Sequence, residues 1–322
     1  MARKAYDLHC DTLMKLAKNG DLDGGNGKAM VTLTGLRQGG VALQCFADFV
    51  PTGMFPKFCR GALSGLMFRK LYKNYQAMMA RHGDALFPVL RAADLDRAGK
   101  DGKIGVLLTI EDGGVMGNWL ENVRKYYDMG VRLVTLTWNH PNFIGHPHSG
   151  DPEAMGRGLT DYGRQVVSEM ERLGMVIDVS HGSDGLFFQV AELARKPFVA
   201  SHSNARAVCG HTRNMRDDMI RLLADKGGVM GLNIGPAFLA DGSEVSRAED
   251  MVRQILHIRR VGGSGVLALG SDFDGIHGDL EIAGPQDWPR LADALSRAGL
   301  SEDELEQMWW SNADRVLRAA LA

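Results

Sequence analysis

Apolar residues in this chain gather in eight short runs, at residues 5–11, 41–49, 104–111, 131–138, 175–181, 197–202, 228–234 and 266–272. Each is rich in β-branched and aliphatic side chains and closes on polar or glycine-rich chemistry, as strands buried on both faces do. Between most of them the apolar spacing changes to that of an amphipathic helix. Residues 159–173 carry Val166, Val167, Met170 and Leu173 on one face and stop at Gly174, directly before the fifth run. Residues 246–261 repeat the arrangement with Met251, Ile255 and Ile258, ended by Gly262 and Gly263. Ser301 with Glu304 forms a capping box that opens a helix through Met308 and Trp309.

Eight strands alternating with helices predict a parallel sheet, and that number predicts closure into a TIM-type (β/α)8 barrel spanning residues 1–322 as one domain. A doubly wound sheet is the competing arrangement, but no G-x-G-x-x-G follows the first strand. Insertions fall at about 18–39, 51–94 and 139–158. The last, rich in Gly, His and Pro, has the length of an active-site loop.

With 45% hydrophobic and 24% charged residues the chain has the composition of an ordinary globular protein. A formal charge of −2, with no basic run, argues against a nucleic-acid footprint and for a small-molecule partner. No apolar run approaches the roughly 18 residues of a membrane span, and the N-terminus lacks a signal-peptide core, so a cytoplasmic location is expected. Cys10, Cys45, Cys59 and Cys209 show no C-x-x-C spacing and read as free thiols.

The strand ends carry the chemistry. On a strand, residues i and i+2 share a face about 7 Å apart, so His9 and Asp11 can close on one cation while Cys10 faces away into packing. Barrel enzymes place their chemistry at the C-terminal strand ends, and there this chain has His9, Asp11, Glu111, His181, His202 and Asp272. Each alone reads as a satisfied polar cap. Together on one rim they need compensating charge, which divalent cations supply. Imidazoles with carboxylates are the ligand set of zinc, and could also hold manganese or cobalt. The number exceeds what one tetrahedral ion with an open position takes and suits two with a bridging carboxylate, which makes hydrolysis the expected reaction class.

The order His9-x-Asp11, Ile110-Glu111-Asp112-Gly113-Gly114, Val131 through Thr137, Gly158 through Gly163, Asp178-Val179-Ser180-His181, Ser201-His202-Ser203-Asn204, Arg213-Asn214 and Ser271-Asp272-Phe273-Asp274-Gly275 resembles the membrane (renal-type) dipeptidase family of the amidohydrolase superfamily. The likeness runs from residue 6 to Leu317. It implies that His9 and Asp11 hold one zinc, His181 and His202 a second, and Glu111 bridges them. It also implies that Asp272 handles the proton of the attacking hydroxide and that Arg213 holds the terminal carboxylate of the substrate. By its neighbours alone Arg213 reads as a solvated arginine near Asp217 and Asp218. The function implied is a binuclear zinc dipeptidase that cleaves free dipeptides with a metal-bridging hydroxide and tolerates a D-residue at the C-terminal side. Homodimers are common in the family, though no stretch here shows a dimer face.

One position departs from the pattern. Where the best-known members end the fourth strand in Thr-Leu-Thr-His, with the histidine at the scissile group, this chain has Thr135-Leu136-Thr137-Trp138. The next residues, Asn139 and His140, bring an imidazole close, and His140 is one candidate to take over that contact; a water or the metals are the others. Asp274 competes with Asp272 by spacing, and Asp272 is favoured as nearer the strand end. His146 and His148 read as loop or lid residues, His82 and His257 as surface or packing residues, and Met78-Met79 and Trp309-Trp310 as core. His211 and His277 flank the site loops. The alternative functions are an amidohydrolase acting on an N-acyl amino acid, a cyclic amide or a β-lactam, and a metal-binding scaffold without turnover. The absence of Cys ligands and the spare proton carrier speak against the scaffold.

Overall fold

Strands β1 (Ala5–Asp7), β2 (Val41–Phe49), β3 (Ile104–Glu111), β4 (Val131–Thr135), β5 (Val176–Asp178), β6 (Val199–Ala200), β7 (Val229–Leu232) and β8 (Leu267–Leu269) follow the eight predicted runs in a computed structural model describing residues 3–16, 19–23 and 29–321. Of the insertion at 18–39, residues 18 and 24–28 lie outside the described residues. Each strand pairs in parallel with its neighbours in chain order, and β8 pairs with β1, so the sheet closes as the predicted (β/α)8 barrel. Alternation along the strands divides the core. Leu43, Cys45, Leu107, Leu133, Val176, Val199 and Val229 pack together with Tyr6 and Leu8, whereas Phe46, Leu108, Ile110, Ile177 and Leu232 join the layer packed with the helices. The C-terminal helix Asn312–Ala320 contributes Ala313, Val316 and Leu317 to the first cluster, and Asp314 accepts a hydrogen bond from the Tyr6 hydroxyl at 3.1 Å.

The helices start and stop where their caps dictate. Thr160 caps Asp161–Leu173, and Gly174 ends it in the left-handed region at φ 78°. Ser301 and Glu304 form the expected capping box, followed by a π-helical stretch, Gln307–Ser311, that buries Met308 and Trp309. The insertion at 51–94 holds the helix Arg60–Arg81 and a ninth strand, Leu86–Pro88, that the sequence pattern did not reveal. This strand extends β3 at Ile104–Val106, on the edge that β4 covers only from Leu108 onward. Among the described residues no helix is long and apolar enough to cross a membrane.

Most strands are shorter than the apolar runs. Those expected to reach residues 11, 138, 181, 202, 234 and 272 leave the ladder at 7, 135, 178, 200, 232 and 269. The cause is visible at two of them. Asp7 and Asp178, the last ladder residues of β1 and β5, accept backbone N–H groups that a ladder would otherwise use: Ser271 and His9 on Asp7, Ser180 and Ser201 on Asp178. Beyond them His181 and Asp272 take positive φ, 65° and 64°, which no strand accommodates.

Two glycines let β6, β7 and β8 close at this level. A Cβ on Gly231 or Gly270 would lie 2.0 or 1.8 Å from the Ser201 carbonyl oxygen. Gly270→Ala is therefore expected to displace the strand end that carries His202 and to destabilise the fold by roughly 3 kcal/mol, read from urea unfolding. An unchanged midpoint would show that the rim relaxes freely at this point.

Candidate active site

The residues beyond the ladder ends are held by side-chain ties between adjacent strands. The Asp7 carboxylate accepts from the Ser271 amide (2.9 Å) and hydroxyl (2.6 Å), which fixes the backbone just before Asp272. Asp178 accepts from the Ser201 amide (2.9 Å), the Ser201 hydroxyl (2.6 Å) and the Thr135 hydroxyl (2.6 Å), which fixes the backbone just before His202. The Ser201 oxygen in turn accepts from His202 Nδ1 at 2.7 Å, leaving Nε2 to face Glu111 and His181 as a lone-pair donor. Asp112, at φ 72°, gathers the Thr52 amide and hydroxyl, the Gly114 amide and the Asn142 amide, and so fixes the turn that follows Glu111.

Six predicted side chains converge. His9 Nε2 lies 3.6 Å from Asp11 Oδ2, 3.6 Å from Glu111 Oε2 and 3.8 Å from Asp272 Oδ1. Glu111 Oε1 lies 2.9 Å from His181 Nε2 and 3.6 Å from His202 Nε2, and the two imidazole nitrogens are 3.1 Å apart. Two triads, His9–Glu111–His202 and His9–Asp11–Asp272, each bring ligand atoms within 4.8 Å of one another. All six residues are buried, and among the described residues neither nitrogen of His9 nor Oδ1 of Asp11 has a hydrogen-bond partner. Buried orphan acceptors, carboxylates in mutual contact and two nitrogens at 3.1 Å fit a donor set arranged around divalent cations.

The electrostatics point the same way. Burial, reinforced by the charge of Asp11, pushes the Glu111 carboxyl up to about 8, and burial pushes Asp272 up to about 6 against the pull of His9. Burial opposes a charge on His9, but the nearby carboxylates of Glu111 and Asp11 outweigh it and hold the imidazole well above its ordinary range. Burial holds His181 and His202 well below theirs, aided by Arg213 at His181 and by His9 at His202. In the absence of cations this centre keeps protons where positive charge is needed.

The other predicted residues fall at different depths. Arg213 is buried rather than solvated: its guanidinium donates to Ser203 Oγ (2.7 Å) and the His202 carbonyl (2.8 Å), and among the described residues Nε has no partner. Its neighbour Arg216 takes the pairing with Asp218. Trp138 lines a cavity of about 330 Å³ above the cluster, together with Phe49, Phe238, Ile276 and the exposed His277, and its ring centroid is 5.0 Å from that of Phe49. His140 is exposed and outside this lining, its ring 6.0 Å from Trp138. Asp274 turns away from the cluster to accept from Thr12 Oγ1 (2.6 Å) and the Met30 amide (2.8 Å). His257 pairs with Asp217 at 2.7 Å, and His82 accepts from the Leu22 amide. His146 stands apart from both triads, whereas His148 bonds Asn139 and Thr212 beside His181. Sequence reasoning passed over Asp7, Asp178, Asn139 and Asn233, whose Nδ2 donates to Asp272 Oδ2 at 2.8 Å. The available signal was a serine directly before each of His202 and Asp272.

Comparison with known proteins agrees with this geometry. The sequence profile described as membrane dipeptidase (peptidase family M19) matches residues 2–322. The chain belongs to the membrane dipeptidase family. It is 36% identical over 248 residues to an uncharacterized protein from the pqqA 5′ region of Klebsiella pneumoniae, covering 75% of this chain and 91% of that one. It is 31% identical over 299 residues to an uncharacterized dipeptidase of Schizosaccharomyces pombe, covering 88% and 70%. Among solved structures, dipeptidase AC, a metallopeptidase of family M19, superposes with a TM-score of 0.87 at 26% identity over 100% of this chain and 99% of that one. A metallopeptidase from Rhodobacter sphaeroides, liganded with a phosphinate mimic of the dipeptide L-Ala-D-Ala, gives 0.87 at 25% over 99% and 100%. The chain is thus a metallo-dipeptidase of the M19 family by sequence and by fold.

The protonation of the centre makes stability depend on pH. Glu111 rises from an ordinary 4.5 to about 8, and His9 is also raised, so without cations these two groups bind more protons in the folded dipeptidase than in the unfolded chain between about pH 6.5 and 8. His181 and His202, depressed from 6.5, work in the opposite sense only below that pH. Chelator-treated protein is expected to lose Tm as pH rises from about 6.5 to 8, and added divalent cation to restore more at pH 8 than at pH 6.5. A Tm that stays flat or rises across this window, in a series of thermal melts, would contradict the protonation assigned here.

Proposed function

We propose that the chain is a binuclear zinc dipeptidase acting on free dipeptides, including those with a D-residue at the C-terminal position. The observation that carries the reading is the position of Glu111, whose Oε2 faces His9 while Oε1 faces His181 and His202. His9 and Asp11 would hold one cation, His181 and His202 the other, and Glu111 both; manganese or cobalt suit the same donors. When bound, two such cations supply a hydroxide near neutral pH and polarise the scissile carbonyl. Asp272 would take the proton of the nucleophile and pass it to the leaving amine, a reading supported by Asn233, which occupies its Oδ2 and leaves Oδ1 facing the cluster. Arg213 has only neutral hydrogen-bond partners among the described residues, and a buried guanidinium in that state favours an incoming carboxylate. A cavity of about 330 Å³ suits a small ligand, and the dipeptide mimic on the Rhodobacter sphaeroides relative supports both the size and the D-residue. Four free thiols are consistent with a cytoplasmic site of action.

Trp138 favours keeping a second substrate class in view. The family's histidine is absent there, His140 is exposed, and the wall that results is apolar. The same centre could open an N-acyl amino acid, a cyclic amide or a β-lactam. Metal content per chain, measured with turnover of L,L, L,D and N-acetylated dipeptides before and after chelation, separates the readings. The dipeptidase predicts two cation equivalents and chelator-sensitive cleavage of free dipeptides. Two equivalents with cleavage of blocked amides alone selects the second class, and no bound cation overturns both.

Two substitutions divide the labour. Asp272→Asn is expected to keep both cations and to lower kcat by about 10²–10⁴. Arg213→Ala is expected to raise KM by roughly 30-fold or more for substrates with a free carboxylate beside the scissile bond, and little for those without one. Near-normal turnover by Asp272→Asn would remove that residue from the chemistry.

A further inference from the structure

The two histidines facing Glu111 Oε1 are oriented in different ways. His202 is held inside the barrel by Ser201 and Asp178. His181, which leaves β5 at a positive φ, has no such internal partner; its Nδ1 lies 2.9 Å from Oδ1 of Asn139, the residue after Trp138. The same Oδ1 lies 3.1 Å from His148 Nε2, and His148 Nδ1 lies 2.9 Å from Thr212 Oγ1. We infer that Asn139, braced by His148 and Thr212, sets the tautomer and ring orientation of His181 and is a positioning residue of the metal centre. The inference rests on the reading of His181 as a metal ligand.

The hydrogen bonds allow one arrangement of protons compatible with that role. For His181 to offer the Nε2 lone pair toward Glu111 and His202, its proton must sit on Nδ1, opposite an acceptor. An amide oxygen is only an acceptor, so it takes the proton of His181 Nδ1 and that of His148 Nε2 on its two lone pairs. In the neutral ring His148 Nδ1 then accepts from the Thr212 hydroxyl. The backbone repeats the connection. The His148 amide donates to the His181 carbonyl at 2.8 Å, and Pro147 bridges to Gly182. Thr212 directly precedes Arg213, so the relay joins the loop of the carboxylate-binding arginine to a ligand of the second cation. Asn139 itself is exposed, and its truncation leaves the barrel core untouched.

The test is cation affinity, measured by competition with a chromophoric chelator for Zn²⁺, on wild type, Asn139→Ala, Asn139→Asp and His148→Ala. Asn139→Ala should weaken one of the two cations by about 10–100-fold. Asn139→Asp, which keeps the acceptor oxygen, should retain wild-type affinity within about threefold, and His148→Ala should fall between them. Long-range ¹H–¹⁵N spectra should show the His181 proton on Nδ1 in wild type and Asn139→Asp, and a mixture of tautomers in cation-free Asn139→Ala. If wild type binds two cations while Asn139→Ala binds both as tightly and keeps the Nδ1 proton, the inference fails and the metal reading stands. If wild type takes up no divalent cation, the metal reading fails and this inference with it.

Discussion

The structure depends on placing six ionisable side chains where burial leaves water little room to neutralise them. His9, Asp11, Glu111, His181, His202 and Asp272 are all buried, and the atoms they turn toward the centre of the cluster face one another. Burying charges unpaired costs several kcal/mol per ion, so the arrangement persists only if something outside the cluster supplies charge or the groups give up their own. The shifts of Glu111 and Asp272 toward protonation are the second solution, and cations are the first. That choice between protons and metal makes the rim of this barrel a reactive place rather than a stable one.

Holding such a cluster requires that the backbone be overdetermined around it. Among the described residues, four of the five non-glycine residues with positive φ, Asp112, His181, Asp272 and Asp274, lie in or beside the cluster, and the fifth is Asp101 on a remote turn. Conformations of this kind cost about 1–3 kcal/mol each and survive only where neighbours enforce them. Here the enforcement is carboxylate to serine: Asp7 on Ser271 and Asp178 on Ser201, each across a strand pair and each immediately before a residue of the cluster. The ladder hydrogen bonds are given up two to four residues before the apolar runs end, and side chains replace them with bonds that can point the next residue inward. One of these ties lies on the seam between β8 and β1, so closure of the barrel and assembly of the site are partly one event.

The barrel and the cluster were legible in the sequence because both rest on local signals. Strand-length apolar runs ending in His, Asp or Glu report the sheet and its rim at once, and the eight runs correspond to the eight barrel strands. The ends of those strands were not legible. Apolar residues continue past Asp178 through Val179, yet the ladder stops, because the deciding interaction is with Ser201, 23 residues away. Leu86–Pro88 escaped notice because three residues containing a proline give no periodic signal. Arg213 illustrates the reverse difficulty: beside Asp217 and Asp218 it looks solvated, and only the fold shows that Arg216 takes that exposed role while Arg213 is folded under the His202 carbonyl. Asn139 was invisible for a similar reason, since a polar loop residue declares nothing until the loop is laid against His181.

The replacement at Trp138 makes sense within this division of roles. A histidine at the end of β4 would add a hydrogen-bond donor over the scissile group, whereas tryptophan with Phe49, Phe238 and Ile276 leaves an apolar wall above an acidic floor. Among the described residues no lysine or arginine lines that cavity, so the fixed positive charge comes from Arg213, one layer back against Phe238 at 5.9 Å. Under the proposed function a substrate would be sorted by two separate criteria: an apolar body that displaces water from the wall, and a carboxylate that reaches the buried guanidinium. The first contributes affinity in proportion to area and discriminates weakly, while the second leaves a buried charge unpaired when it is missing and so discriminates strongly. With the wall changed and the arginine kept, selection under the proposed function would shift toward the carboxylate end of the substrate, and the residue on the amino side would be read mainly by its apolar surface.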